Sequence, residues 1–389
     1  MPENKPERIA AVVVTYNRKS LLVEGLDSLL RQSRPLDALY IIDNASADGT
    51  YETLLDKDWI TPVGRSVETT SHIPEIGPTQ ATQTGGIVKA EGLGDGGRTN
   101  HRQAPLDAAT RPAGNSRIWD ALNVDEPVET VRSVMLPASS GGQLEVHYVR
   151  MSQNTGGAGG FAEGMQRAAA TGFDWLWLMD DDLLAAPDAL EMLVRKKNAL
   201  ETSGGDPFIL NSLAVARDQP DNEQLAFPLQ ELSASGDPKA GTYYWHLSQV
   251  RGRIEDGLYE WACPFNGTFV PARAVERVGL PNREFFINGD EKDYLWRLAK
   301  TFRLYTVIGS RVFHPQAQRL PFDWKQYYNI RNMLVVNRHF RFSGLRNLRL
   351  IVLSLARGLR HGRWGLALVL RALGDGLTGR LGKREDLHP

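Results

Sequence analysis

Ile9 to Val14 is an unbroken apolar run, IAAVVV, the pattern of a strand buried on both faces as in a parallel sheet. Thr15-Tyr16-Asn17-Arg18 breaks it, and Ser20 to Gln32 then carries leucines at 21, 22, 26, 29 and 30, which is helical spacing behind a serine. Leu39 to Ile42 predicts a second strand, closed by the polar run Asp43 to Thr50. Strand, helix and strand with polar residues at both strand ends is the start of a doubly wound α/β domain, in which ligands bind beyond the carboxyl ends of the strands.

The pattern resumes at Leu144 to Val149, followed by a glycine-rich turn, Asn154 to Phe161, and a helix predicted from about Ala162 to Ala170. Trp175 to Met179 is an apolar strand that runs directly into Asp180-Asp181-Asp182, and Pro187 opens a further helix. Residues 204 to 257 are polar and irregular and predict few elements. Beyond them, Phe265 to Val270 reads as a strand, Asn288 to Glu291 precedes a helix carrying Tyr294, Leu295 and Leu298, and Val307 to Phe313 is a short strand ending at His314.

Two stretches depart from this rhythm. In residues 61–116, 30 of 56 positions are Gly, Pro, Ser, Thr, Asn or Gln and only 8 are large and apolar, so the segment reads as a flexible polar insertion. From Arg341 to Arg384 there are ten Lys or Arg against the single acid Asp375, interleaved with leucine-rich runs, which predicts a basic, amphipathic and mostly helical extension. The division expected is therefore a catalytic domain over 1–325 and a helical basic extension over 326–389.

Composition narrows the classes. At 389 residues the chain can bury a large core, and a net charge of −1 removes the global basicity of a protein that coats nucleic acid. The lone Cys263 excludes an intramolecular disulfide framework and a multi-cysteine zinc site, which fits a reducing, cytoplasmic setting. The opening MPENKPER leads straight into the first strand rather than reading as a signal peptide, and no apolar run reaches the roughly 20 residues of a membrane-spanning helix.

Three adjacent aspartates at a strand end repel one another, and a hard divalent ion such as Mn²⁺ or Mg²⁺ would relieve them; a solvated turn is the alternative. The first and third residues of an extended Asp-x-Asp unit point the same way, which favours Asp180 and Asp182 as a pair. His314, held near a strand end by Pro315, is either a ligand or an ordinary histidine. Asp290 and Glu291 at a helix N-terminus suit a general base, while dipole complementarity and an Asp293–Arg297 pair explain part of the same pattern. Gly157, Gly159 and Ala162 also match G-x-G-x-x-A, a weak dinucleotide-binding fingerprint. Asp43 either accepts a hydrogen bond from a base or ribose or caps the turn toward Gly49.

Together TYNR (15–18), DNASADGT (43–50), NTGGAGGF (154–161), WLWLMDDD (175–182), NGDEKDY (288–294) and FHP (313–315) resemble, in order, the inverting family 2 glycosyltransferases of the GT-A fold, and within them the bacterial galactofuranosyltransferases. The resemblance implies a doubly wound mixed sheet flanked by helices and a metal-dependent transferase that moves galactofuranose from its UDP donor onto a cell-envelope polysaccharide or glycolipid. It implies that Thr15, Arg18, Asp43 and Asp180 contact the nucleotide-sugar, and that Asn154, Gly156, Gly157, Gly159 and Gly160 line the donor pocket. Asp180, Asp182 and His314 would hold Mn²⁺ or Mg²⁺. Glu291 matches the catalytic aspartate, one methylene longer, with Asp290 as its acidic neighbour, so both are candidate bases. Trp261 resembles an aromatic residue of the acceptor site.

A lipid-linked or polysaccharide acceptor and an anionic membrane surface are the candidate partners, with the enzyme on the inner face of the cell membrane. The alternative for the basic extension is packing on the core or an oligomer interface. A dTDP-rhamnose-dependent rhamnosyltransferase, an NAD-dependent oxidoreductase and a non-catalytic glycan-binding subunit are the competing readings.

Overall fold

The computed structural model describes residues 6–63, 126–136, 142–217, 219, 223–233, 236–261, 265–316 and 321–387. The polar insertion, apart from residues 61–63, and Cys263 lie outside the described residues.

Strand β1 (Ile9–Thr15) is flanked by β2 (Ala38–Asp43) and β5 (Trp175–Asp180), both parallel to it, and β4 (Gln143–Arg150) runs parallel beside β2. Between them in sequence lie α1 (Lys19–Leu30), α2 (Thr50–Asp56), the antiparallel edge strand β3 (Val128–Met135) and α3 (Gly156–Ala170). The register sets Thr15 opposite Asp43, Val14 opposite Asp180 and Asp43 opposite Arg150, so the polar strand ends form one row along the carboxyl edge. The apolar run of β1 splits by alternation: Ala10, Val12 and Val14 pack toward α3, whereas Ile9, Ala11 and Val13 join the cluster that contains α1.

The rest of the sheet is mixed. After β6 (Leu184–Ala185) and α4 (Ala189–Ser203) come β7 (Phe208–Ala216), β8 (Gln224–Leu232), β9 (Pro238–His246), β10 (Leu258–Glu260) and β11 (Thr268–Pro271). Helices α5 (Arg273–Val278) and α6 (Asp290–Ala299) lead to the long β12 (Arg303–His314), giving the order β10-β12-β7-β11-β5-β1-β2-β4-β3. The chain ends in α7 (Lys325–Val336), α8 (Ser343–Arg360) and α9 (Gly362–Thr378). A central mixed sheet flanked by helices with a helical C-terminal region is the architecture expected.

Two expectations are corrected. Residues 204–257 hold three strands, and β7 is buried along its whole length; its apolar run is interrupted by Asn211 and Ser212, whose side chains bond Thr268, the Asn266 carbonyl and Ser310 inside the sheet. The glycine-rich segment is the first two turns of α3, not a turn before it. A Cβ on Gly160 would lie 2.4 Å from Val14 Cγ1, and one on Gly164 would lie 2.4 Å from Val12 Cγ1, so these glycines let the helix rest directly on β1.

Candidate active site

The carboxyl edge of the sheet opens into a cleft of about 780 Å³. Thr15, Arg18, Asn154, Gly156, Gly157, Asp180, Asp290 and Glu291 of the expected set line it, together with Asn44, Trp324, Lys325 and Lys383. Gly159, Gly160, Asp43, Trp261, Asp182 and His314 are not among the lining residues.

On the sheet side, β5 delivers the three aspartates into separate surroundings. Thr15 donates from Oγ1 to Asp181 Oδ2 at 2.7 Å, and Arg18 Nη1 bridges Asp181 Oδ1 at 3.2 Å and Asp182 Oδ2 at 2.7 Å. Burial, with the charges of Asp182 and Asp181 beside it, pushes the Asp180 carboxyl up to about 8. Burial also raises Asp181. Asp182 goes the other way: burial opposes its charge, but the His314 ring and Arg18 outweigh burial and hold it below the usual range. The same pairing, against the cost of burial, raises His314.

His314 reaches Asp182 because β6 pairs antiparallel with β12, setting Leu184 opposite Phe313. Its Nδ1 faces the Pro315 carbonyl and its Nε2 lies 3.1 Å from Asp182 Oδ1, off the line of a hydrogen bond, so that Oδ1 is a buried acceptor with no hydrogen bond. An orphaned carboxylate oxygen beside an imidazole nitrogen fits a divalent ion that takes its remaining ligands from phosphate oxygens and water. Of the three expected ligands the structure brings Asp182 and His314 into contact; among the described residues no three His, Cys, Asp or Glu side chains stand grouped as a metal set. The strand ends at Asp180 and the chain turns at 181–182, so the alternation that would align the Asp180 and Asp182 carboxylates is lost.

Facing the aspartates is the start of α3. Asn154 Oδ1 accepts from Gly156 N at 2.8 Å, and Asn44 accepts from Thr155 Oγ1 at 2.8 Å while donating to the Gly156 carbonyl at 3.0 Å. Gly156 has φ +70°, and a Cβ there would fall 2.0 Å from the Phe286 carbonyl oxygen, so only glycine fits. Gly157 opens on Asp290: a Cβ there would stand 3.9 Å from Asp290 Oδ2. Gly159 packs on Thr155, and Gly160 packs on Val14 and Asn44, which places them in the helix seat rather than on the cleft.

Asp290 and Glu291 begin α6. Asp290 is 4% exposed, and burial, the Glu291 charge and a hydrogen bond with Glu291 raise its carboxyl well above the ordinary value, with Asp180 adding in the same sense. Glu291 is partly exposed to the cleft and its Oε2 accepts from Gly289 N at 2.7 Å. The expected Asp293–Arg297 pair is present at 2.9 Å. The loop ahead of α6 is held by two side chains the sequence did not flag. Asn332 Nδ2 donates to the carbonyls of Phe285, Ile287 and Asn288 at 3.0, 2.9 and 2.7 Å, and Arg331 Nη2 donates to Phe285 at 3.0 Å.

Two expected contacts lie out of the cleft. Asp43 is fully buried; its Oδ1 accepts from Ser46 N at 2.7 Å and its Oδ2 from Tyr148 Oη at 2.6 Å and Arg150 Nη1 at 2.9 Å, so as placed it holds the strand ends together. Trp261 is 5% exposed and packs on Trp296 of α6 at 4.5 Å between ring centroids, while Phe286 and Trp324 are among the aromatic groups that line the cleft.

Residues 10–58 and 125–238 match the family model described as Glycosyl transferase family 2. These stretches resemble a glycosyltransferase family 2 domain. Within the matched stretches lie Thr15, Arg18, the start of α3 and all three aspartates, while Asp290, Glu291 and His314 fall after them. Over 178 residues the chain is 32% identical to galactofuranosyltransferase GlfT1 of Mycolicibacterium smegmatis, covering 43% of this chain and 53% of that protein. It is 23% identical over 218 residues to galactofuranosyltransferase GlfT2 of Mycobacterium tuberculosis, covering 51% and 32%. The chain thus spans about half the length of the GlfT1 relatives it matches. Among solved structures, S. aureus TarS 1–349 in complex with UDP aligns at a TM-score of 0.46 and 11% identity, covering 96% of this chain and 81% of that one.

Proposed function

We propose that the protein is an inverting glycosyltransferase that moves galactofuranose from UDP-galactofuranose onto a hydroxyl of a cell-envelope polysaccharide or glycolipid. One observation carries the reading: Asp180 and Asp181 at the end of β5, the N-terminus of α3 and the Asp290–Glu291 pair line one cleft in a chain that resembles a glycosyltransferase family 2 domain over residues 10–58 and 125–238. The donor sugar is taken from the galactofuranosyltransferase relatives.

In this reading Glu291 accepts the proton of the acceptor hydroxyl. The acceptor oxygen then forms its bond to the anomeric carbon as the bond to the donor diphosphate breaks, and UDP leaves with that electron pair. A single displacement inverts the configuration and needs no covalent enzyme intermediate. Asp290, whose carboxyl burial and the neighbouring Glu291 charge raise, stands beside Glu291 and orients it. Asp182 and His314 would hold a divalent cation, which supplies charge neutralisation for the leaving diphosphate. Arg18 and the backbone N–H groups at the start of α3 bind the same anion.

We place the acceptor at an anionic membrane surface. Helix α8 turns Asn347, Ser354 and Gly358 inward and leaves Leu345, Leu348, Val352 and Leu359 exposed beside Arg349, Arg357 and Arg360, and α9 adds exposed Trp364, Leu370 and Leu377. An apolar stripe bordered by arginines suits a helix lying in the lipid interface. Among the described residues no helix is long and apolar enough to cross a membrane. Incubating the protein with UDP-galactofuranose, Mn²⁺ and a galactan acceptor, and reading the product by mass, tests the reading. An acceptor heavier by one hexose residue supports it, and an unchanged acceptor beside intact donor opposes it.

A further inference from the structure

The C-terminal segment after α9 does not trail away from the catalytic domain. Gly382 N donates to the Glu284 carbonyl at 2.7 Å, the Gly382 carbonyl accepts from Arg331 Nη1 at 2.6 Å, and Arg384 N donates to Tyr328 Oη at 2.8 Å. Arg331 is fully buried, and the same guanidinium holds the Phe285 carbonyl, so one side chain ties the tail to the loop that leads into Asp290. Between these anchors Lys383 is carried into the cleft, with its Nζ 5.8 Å from the centre of the Phe286 ring. Lys325, the first residue of α7, lines the same cleft.

These two cations have no role in the mechanism above. Arg18, also in the cleft, shares its charge with Asp181 and Asp182 and meets the anion from the sheet side. No carboxylate of the described residues pairs with Lys325, and the partner of Lys383 is Glu385 at 2.9 Å, a side chain 74% exposed. An exposed pair of that kind is worth little and yields readily to a stronger anion. The acids that line the cleft are Asp180, Asp181, Asp290 and Glu291, and none of them pairs with either lysine, so both ammonium groups are open to an anion; lysine takes phosphate as a point charge.

We propose that Lys325 and Lys383 form a subsite for a phosphoryl group of a bound substrate, so that Lys383 of the C-terminal extension completes the active site together with Lys325 at the boundary. The phosphoryl group belongs either to the diphosphate of the nucleotide-sugar or to the phosphate through which a lipid-linked acceptor is attached. The choice of these two sources rests on the glycosyltransferase reading; the affinity of the lysines for phosphate does not.

The test uses the full chain, with K383Q, K325Q and the double variant against K383R. Both side chains are partly exposed, so the glutamine variants should melt with the wild type. Calorimetric titration with UDP addresses the donor: weakening by about three- to tenfold in each glutamine variant, restored in K383R, assigns the subsite to the donor diphosphate. Unchanged UDP binding, with a raised KM for a glycan joined to a prenyl chain by diphosphate but not for the same glycan as an alkyl glycoside, assigns it to the acceptor. Unchanged UDP affinity and unchanged KM for both acceptors overturns the proposal. If the wild type binds no UDP and transfers no sugar, the parent reading fails, and inorganic pyrophosphate becomes the probe. Binding lost in the double variant then supports the subsite, and binding equal in both proteins rejects it.

Discussion

Asp182 carries the most specific prediction at the residue scale, because its Oδ1 is buried without a hydrogen bond and lies beside His314 Nε2. Asp182→Ala is expected to abolish Mn²⁺-stimulated turnover and the Mn²⁺ dependence of UDP binding, measured by calorimetry with and without the metal; normal stimulation would reject the assignment. Glu291→Gln is expected to leave UDP affinity intact while kcat falls by about 10²–10⁴. If Asp290→Asn is the severe variant and Glu291→Gln the mild one, the base has been assigned to the wrong carboxylate.

Asp180 makes a pH prediction with a definite sign. An aspartate raised from 3.8 to about 8 in the folded state contributes stability that is fully present below about 4 and is lost as the pH rises through about 8. Asp180→Asn should therefore raise the melting temperature of the metal-free protein more at pH 8 than at pH 5, read by scanning calorimetry. An equal shift at both pH values would show that the carboxyl is not perturbed. The acidic residues themselves were legible in the sequence, since a DDD run after WLWLM and a DE pair before an amphipathic helix advertise their chemistry. Their partners were not. Arg18 bridging Asp181 and Asp182 depends on three-dimensional approach, and Asp43, expected to meet a base, is consumed by Tyr148 and Arg150 from a strand more than 100 residues away.

At the scale of elements, α3 sits on the sheet only because its inner face lacks side chains. Gly160→Ala or Gly164→Ala forces a Cβ to within 2.4 Å of a β1 valine, so each is expected to cost about 1–3 kcal/mol in urea denaturation. Gly157→Ala meets only Asp290 at 3.9 Å and should be nearly silent in stability while weakening UDP binding. A loss of stability in Gly157→Ala equal to that of Gly160→Ala would contradict this division. The sequence motif lumps these glycines together, whereas the structure separates those that seat the helix from those that face the cleft. The strands of the parallel half were readable because each is a continuous apolar run. β7 was not, because Asn211 and Ser212 interrupt it and find their partners only across the sheet.

For the whole molecule, the expected split between a catalytic domain and a basic extension understates how closely the two are joined. Arg331, Asn332 and the 382–384 segment hold the loop before Asp290, so deleting the extension would damage the active site as well as any membrane contact. Point changes on the outer face of α8 separate the effects. Leu348→Glu with Val352→Glu is expected to release the protein from vesicles containing anionic lipid in a flotation assay, while its turnover of a soluble acceptor persists. Retained flotation, or a change of oligomeric state by light scattering with flotation unaffected, would favour packing between copies of the chain. The arrangement of arginines and leucines was visible in the sequence, but which of them face outward required the contacts of α8 with α9.

Galactofuranosyl transfer is decided by supplying the purified full chain with Mn²⁺, a galactan acceptor and either UDP-galactofuranose or dTDP-rhamnose, and following the anomeric signals of donor and product by NMR. Transfer is expected from UDP-galactofuranose alone, with inverted anomeric configuration, and is expected to be lost on chelating the metal. Transfer from dTDP-rhamnose alone, retention of configuration, or no transfer from either donor would contradict the proposed function.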